Sequence, residues 1–298
     1  MQILLTQNPL EANIITHNSV FHADEIMAIA IYSQVCDLNI LRIHRTFSVT
    51  TNLPEDILVV DMGGGDFDHH QPGCNGCRAN GVPYASAGLV WRTFGFGLVD
   101  PEVFEIVDQE LIQGIDAMDN GQMPRANYPA ENYNISRMIS QMNPTWDSCM
   151  EPDSYFLQAI ELASIALKNC IKNAKARVKA ASIVNNAIEK SENGIMVLDC
   201  YVPWQDYIFS STNPKAKEIA FVVFPSNRGG VNWQCVPDAP NSFGQRKPVP
   251  KEWRGLRDTE LQVATGIKTA IFCHPAGFIG GAETLQDAIA LAKLALES

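Results

Sequence analysis

The chain is short of positive charge. Its 22 Lys and Arg stand against 33 Asp and Glu, for a net charge of −11 at pH 7. That balance excludes a protein that coats nucleic acid with its whole surface, because phosphate binding on that scale needs the opposite sign. It leaves room for a local basic groove, or for clustered carboxylates whose bound cations make the formal charge misleading. Long hydrophobic runs are missing as well: none approaches the roughly 18 apolar residues of a membrane span. The opening MQILLTQNPLEAN has neither a basic stretch nor an unbroken apolar one, so no secretory signal is expected and the chain is read as soluble and cytoplasmic. Repeats and low-complexity tracts are absent. Cys74 and Cys77 form a CxxC, but no second pair accompanies them, and a structural zinc site needs two more ligands. They are read as an incidental pair in a loop. The eight cysteines are scattered along 298 residues. A chain of this length needs no disulfide framework, so most are expected to be reduced and buried.

What is present is enough to build cores: 46% of residues are hydrophobic and 18% charged, the balance of an ordinary globular chain. The length fits one large domain or, better, two. In the first third, strand-like and helix-like runs alternate. A short apolar run ends at Ile14-Ile15. Asp24 to Val35 carries Ile26, Met27, Ile29, Ala30 and Ile31 at helical spacing. Ile57 to Val60 is β-branched and runs into Asp61-Met62-Gly63-Gly64-Gly65, as a buried parallel strand runs into a loop. Ser86 to Phe94 and Pro101 to Asp116 read as helices, the second with proline in its first turn. This alternation predicts an α/β fold, a parallel sheet with helices on both faces. From Pro152 to Lys190 the pattern is helical, either one long helix or one broken once. After Gly194 the character changes. Ile195 to Leu198, Ile219 to Val223, Val231 to Val236 and Thr269 to Cys273 read as strands, and Ala282 to Leu296 as a closing helix. Residues 1–193 are therefore expected to form one domain and 194–298 a smaller α/β domain.

Four of the six histidines fall in two compact clusters. One is Thr16-His17-Asn18-Ser19-Val20-Phe21-His22-Ala23-Asp24-Glu25, placed between a strand and a helix. The other is Asp66-Phe67-Asp68-His69-His70-Gln71. Asp61 lies between them at a strand end, and Asp116 and Asp119 follow in Gly114-Ile115-Asp116-Ala117-Met118-Asp119-Asn120-Gly121. Taken singly, each has an ordinary explanation. Asp24-Glu25 could complement a helix dipole, Asp61 could open a turn, and a lone histidine such as His44 is usually structural. Adjacent His69-His70 behind Asp68, with two more histidines and an aspartate upstream, favours a metal site. Mixed imidazole and carboxylate ligands suit Mn²⁺, Fe²⁺, Co²⁺ or Zn²⁺, whereas Mg²⁺ prefers oxygen alone. Loops at the carboxyl ends of neighbouring parallel strands converge, so these residues can share one centre. Two ions about 4 Å apart, bridged by one carboxylate, would hold a hydroxide that attacks phosphorus.

At these residues the sequence resembles the DHH phosphoesterase superfamily: His17, His22 and Asp24 fit its first motif, Asp61 its second, Asp68-His69-His70 its third, and Asp119 or Asp116 its fourth. His22 departs from the pattern, standing where many members have aspartate, and this bears on metal identity. A closer resemblance is to the melanocyte proliferating gene protein family of metal-dependent hydrolases, also described as RNA exonucleases. It rests on THNSVFHADE from Thr16, DHHQ from Asp68, YASAGLVW from Tyr84, DAMDNG from Asp116, VPW at Val202, RKPVPKEWRGLR from Arg246 and FCHPAGFIGG from Phe272. The resemblance implies a DHH-type catalytic domain, a substrate-facing C-terminal domain, and hydrolysis of phosphodiesters, 3′ to 5′ on RNA or short oligonucleotides. It implies two divalent ions, Mn²⁺ first among the candidates, held by His17, His22, Asp24, Asp61 as bridge, His69 and Asp119, with Asp116 the alternative. His69 would touch a metal or a phosphate oxygen. His70 would orient water or protonate the leaving oxygen, and Asp68 would fix a histidine tautomer.

On the substrate side, Arg246, Lys247, Lys251, Arg254 and Arg257 surround Trp253 with only Glu252 against them, a local basic and stacking segment in an acidic chain. Arg78 is a candidate phosphate clamp. His274 to Gly281 is expected to be a Gly-rich loop between strand and helix, with His274, Gly280 and Gly281 near an anion. Competing expectations are a small-molecule phosphatase, such as a pyrophosphatase or nucleotidase, and a non-catalytic protein that kept the fold. Oligomeric state is left open, a homo-oligomer included.

Overall fold

The computed structural model describes residues 1–50, 52–73, 75–122 and 132–298. Cys74 lies outside them, and with it the reading of the CxxC. The chain forms two compact units, Met1–Lys175 and Ala176–Ser298.

The first unit is built on four parallel strands, β1 (Gln2–Leu5), β2 (Ile14–His17), β3 (Ile40–Thr46) and β4 (Leu58–Val59), in the order β1-β3-β2-β4. Helix α1 (Ala23–Val35) links β2 to β3. Residues 23 to 31 of α1 are all buried, as expected of a helix that is apolar around its whole circumference. Asp24 and Glu25 are the exceptions to that composition, and both are fully buried. Helix α2 (Ser86–Phe94) packs on α1, and α3 (Pro101–Val107) runs through one π-helical turn (Asp108–Ile112) into α4 (Gln113–Asp119). The helical stretch expected to close at Asp116 thus reaches Asp119. A short helix, α5 (Ile135–Ser140), follows, and then α6 (Asp153–Glu189), which is unbroken over 37 residues and enters the second unit. Strands β1 and β3 were not anticipated. In β3 only Leu41 and Ile43 are fully buried, between partly exposed Arg42 and His44, a weaker pattern than a sheet-centre strand gives.

The second unit has a five-stranded mixed sheet, order β5-β6-β7-β9-β8. Its strands are β5 (Ile195–Val197), β6 (Phe221–Pro225), β7 (Val231–Cys235), β8 (Ala270–Cys273) and β9 (Ile279–Ala282). Its helices after α6 are α7 (Gln205–Ser210), α8 (Lys215–Glu218), α9 (Asp258–Thr265) and α10 (Leu285–Glu297). One face buries Phe221, Val223, Trp233 and Cys235 with Leu261 and Leu291. The other packs Val222 and Phe224 with Val184, Ile188, Trp204 and Ile208.

Two expectations change here. Gly280 and Gly281 lie in strand β9, not in a loop, and the closing helix begins at Leu285 behind an N-cap from Thr284, whose hydroxyl accepts from the Asp287 N–H at 3.2 Å. A Cβ on Gly280 would collide with the Trp233 indole and the Phe272 carbonyl, so this glycine answers a cross-strand packing demand. The cysteines also differ: all seven described ones are free, but only Cys235 and Cys273 are buried. No helix among the described residues is long and apolar enough to cross a membrane.

Candidate metal centre

Neighbouring parallel strands deliver the first two groups. His17 is the last residue of β2, and Asp61 lies two residues beyond β4. Asp61 has φ +60°, a left-handed conformation that Asp tolerates better than most side chains. The loop between β2 and α1 is pinned from elsewhere in the unit. Asn143 accepts from the Phe21 N–H (2.9 Å) and donates to the Phe21 carbonyl (2.8 Å), while Arg45 donates to the Ser19 carbonyl (2.7 Å). Phe21 is fully buried, edge-on to Phe156. His22 then stands at the N-cap of α1, its N–H donating to Glu25 Oε1 at 2.7 Å.

Around Asp61 the side chains converge. His17 Nε2 lies 3.3 Å from Asp61 Oδ2 and 3.1 Å from Glu25 Oε1. His69 Nε2 lies 3.2 Å from Asp61 Oδ1, 2.9 Å from Asp119 Oδ2 and 3.7 Å from Asp24 Oδ2. Three groups have ligand atoms all within 4.8 Å of one another: His17, His22, Glu25 and Asp61; Asp61, His69 and His70; and His22, Asp24 and Asp119. Asp61 and His22 each belong to two. Ser86, the first residue of α2, donates its hydroxyl to Asp61 Oδ1 at 3.0 Å, and its N–H points at Asp24 Oδ2 at 3.4 Å.

The charge state follows from this crowding. Burial raises Asp24 well above the usual carboxylate range, and the charges of Asp61, Glu25 and Asp119 add to it. Burial acts the same way on Asp61, but the imidazoles of His17 and His69 outweigh it and hold Asp61 low. For His17, burial works to lower the value, yet Asp61 and Glu25 raise it to about 10; Asp119 and Asp61 do the same for His69. Such a cluster could hold a metal ion in place of these protons. Asp24 Oδ1 and Glu25 Oε2 are buried with no hydrogen-bond partner among the described residues, and the buried Nε2 atoms of His17 and His69 meet only carboxylate oxygens. Buried polar atoms rarely stay unpartnered. The mixed imidazole and carboxylate donors gathered here fit divalent cations.

The DHH triplet divides its work. Asp68 accepts from the Gly64 N–H (2.7 Å), the His70 N–H (3.0 Å) and His70 Nδ1 (2.8 Å), so it folds the loop and orients the ring. His69 faces the buried cluster, whereas the His70 side chain is 61% exposed.

Other expected residues lie elsewhere. The Asp116 side chain is turned away from the cluster: it accepts from Arg78 at 2.8 Å and from the Gly88 N–H at 2.9 Å. Arg78 is held away from a phosphate-clamping role, because its Nε and Nη2 form a fork on Asp108 at 2.8 and 2.6 Å and its guanidinium stacks on Tyr84. Arg246 donates to the carbonyls of Ala216 (2.6 Å) and Ile219 (2.8 Å), fastening the end of α8. Arg254 donates to the Val249 carbonyl, and Trp253 is a core residue rather than a stacking surface. Lys247 is half-buried. Arg257 and His274 do line an open cavity, together with Arg228. His44 contacts the Thr6 carbonyl, a structural role.

Sequence reasoning missed Glu25 as a ligand candidate, since an acid in the first turn of a helix has an adequate explanation in the dipole. It missed Ser86 and Asn143 because each acts on a loop far away in sequence.

Residues 13–296 match the model of the family described as MYG1_exonuc, Uncharacterised protein family (UPF0160). The chain belongs to the MYG1 family. It is similar to the MYG1 protein of Schizosaccharomyces pombe, at 30% identity over 95% of this chain and 97% of that one. It is also similar to the MYG1 exonuclease of Mus musculus, at 31% identity over 94% of this chain and 84% of that one, and to the MYG1 exonuclease of Homo sapiens, at 29% over 94% and 85%. No solved structure matches the chain.

Proposed function

We propose that this MYG1-family protein is a metal-dependent phosphoester hydrolase of DHH type, a 3′-to-5′ exonuclease acting on RNA or short oligonucleotides. One observation carries the reading: imidazole and carboxylate groups gather around Asp61, and among them Asp24 Oδ1 and Glu25 Oε2 are buried without a hydrogen-bond partner among the described residues. The relatives named exonuclease support the class of reaction. In this reading residues 1–193 supply the catalytic groups and 194–298 the substrate contacts.

His17, His22, Glu25 and Asp61 would hold one divalent ion; Asp24, Asp119 and His69, with Asp61 shared, would hold a second, Mn²⁺ being the first choice for both. Such ions, when bound, acidify water and offset charge on phosphate oxygens. Ser86 fixes the Asp61 carboxylate through its hydroxyl, so the shared ligand cannot swing away. Asp68 holds His70 through Nδ1, and Nε2 of the exposed ring, when it too carries a proton, gives it to the leaving 3′ oxygen. Water attacks phosphorus and loses a proton to solvent, the bond from phosphorus to that oxygen breaks as the oxygen takes the proton from His70, and a nucleoside 5′-monophosphate and a shortened strand result.

The test uses purified protein with Mn²⁺ and 5′-end-labelled RNA, with pyrophosphate and mononucleotides in parallel. A ladder shortening from the 3′ end is expected, and Asp61→Asn should lower kcat by about 10³-fold or more, as loss of a charge-stabilising group does. Phosphate release from pyrophosphate alone would select the phosphatase reading. No hydrolysis of any substrate with Mn²⁺, Mg²⁺, Co²⁺ or Zn²⁺ would leave the fold without the reaction.

A further inference from the structure

The second unit carries an opening of about 760 Å³ over its sheet. Helices α6 and α7 pack on the sheet at β5 and β6, and the opening is lined by residues of β6, β7, β8 and β9. The sequence of β7 alternates accordingly. Trp233 and Cys235 point into the core, while Asn232 and Gln234 face the opening, half-buried. Neither side-chain amide has a hydrogen-bond partner among the described residues. Directly across from Asn232 on the neighbouring strand is Gly281. A Cβ there would press on Phe272 at 3.0 Å and on Asn232 Oδ1 at 3.2 Å. Glycine therefore keeps the floor flat and the amide free, a role distinct from that of Gly280 on the other face.

The walls are aromatic and cationic. Tyr201, 55% exposed, leans on Phe224 with ring centroids 5.3 Å apart. Arg257 sits over Phe272 at 5.8 Å, and Arg228 and His274 complete the rim. In a chain with 33 acidic residues, none lines this cavity among the described ones. The ligand this chemistry accepts has a flat π surface, an edge of donors and acceptors for two amides, and negative charge. Asparagine and glutamine amides read base edges, exposed aromatics stack on bases, and arginines pair with phosphate.

We propose that this face is a nucleotide site, with Asn232 and Gln234 reading the base edge, Tyr201 stacking on the base, and Arg228, Arg257 and His274 holding the phosphate. That the bound unit is the terminal nucleotide of the strand being hydrolysed rests on the reading given above; the site itself stands on the second unit alone.

Calorimetric titration of the full chain in EDTA with AMP, GMP, CMP and UMP, and with inorganic phosphate as comparator, tests it. At least one nucleotide should bind about tenfold more tightly than phosphate, and Asn232→Ala and Gln234→Ala should each weaken it by about tenfold, the size of one good base contact, without weakening phosphate. Arg257→Ala should weaken both. Asp61→Asn should bind the nucleotide as the parent does, so a failed hydrolysis assay and a failed binding assay remain separable. Photolabelling of the unmutated chain with 8-azido-AMP gives a readout that needs no variant: label should fall on peptides holding Tyr201, residues 224–234 or residues 271–279. Nucleotides no tighter than phosphate, undiminished binding in both amide variants, loss of binding in Asp61→Asn, or label confined to the first unit would each overturn the assignment.

Discussion

Asp116 and Asp119 stand one turn apart on α4 and serve two buried charge clusters built in opposite ways. Around Asp116 the charged groups are paired with one another. Arg78 spends its donors on Asp108 and Asp116, Gly88 N–H takes the second oxygen of Asp116, and Gln113 adds a bond to Asp108 at 2.8 Å. Around Asp119 the sum does not close. Four acidic side chains, Asp24, Glu25, Asp61 and Asp119, crowd the imidazoles of His17 and His69, and two buried carboxylate oxygens, Asp24 Oδ1 and Glu25 Oε2, have no partner among the described residues. A saturated cluster holds a fold together; an unsaturated one of the same depth is built to receive something. The difference separates structure from function more sharply than burial or charge does, since both clusters are buried and charged.

The largest stability effect should come from breaking the closed cluster. Arg78→Met leaves two buried carboxylates without their cation and should lower stability by about 3–5 kcal/mol, measured by urea unfolding; a loss under 1 kcal/mol would mean that Arg78 is not the counter-ion it resembles. Gly88→Ala comes next. A Cβ there would collide with Asp116, Arg78 and Tyr84, and overpacking of this kind costs about 1–3 kcal/mol. Metal-free melting would detect it, and an unchanged Tm would show that the contact is easily relieved. The smallest effect is one of pH on the open cluster. His17 and His69 are raised to about 10 without metal. Their pairing therefore stabilises the metal-free fold fully below the unfolded value of about 6.5 and loses that contribution as pH rises through about 10. Cation binding must expel those protons, so the gain in Tm from Mn²⁺ should be larger at pH 8 than at pH 6. A gain that shrinks as pH rises would contradict the protonated starting state.

Much of the open cluster was legible because its residues sit where strands end and loops begin: His17 at the end of β2, Asp61 after β4, the DHH triplet in the following loop. The sequence favours Asp119 over Asp116 because Asp119 directly precedes Asn120-Gly121; what it does not show is the bond from Arg78 that engages Asp116. The closed cluster was invisible for the same reason: Arg78 meets Asp108 across 30 positions and Asp116 across 38. Gly280 and Gly281 were misread because a glycine pair after His-Pro has the composition of a loop. Only the cross-strand partners Trp233 and Asn232 explain them as strand residues. Helix α2 was legible to the residue, since its apolar face is regular and Gly95 closes it.

The most direct measurement is the number of Mn²⁺ ions bound per chain, by titration of EDTA-treated protein followed through Tm and free Mn²⁺. Two ions per chain are expected, with a rise in Tm that grows with concentration and is lost in Asp61→Asn but kept in Asp68→Asn. Protein that binds no Mn²⁺, Co²⁺ or Zn²⁺, or an Asp61→Asn variant that binds as the parent does, would contradict the account.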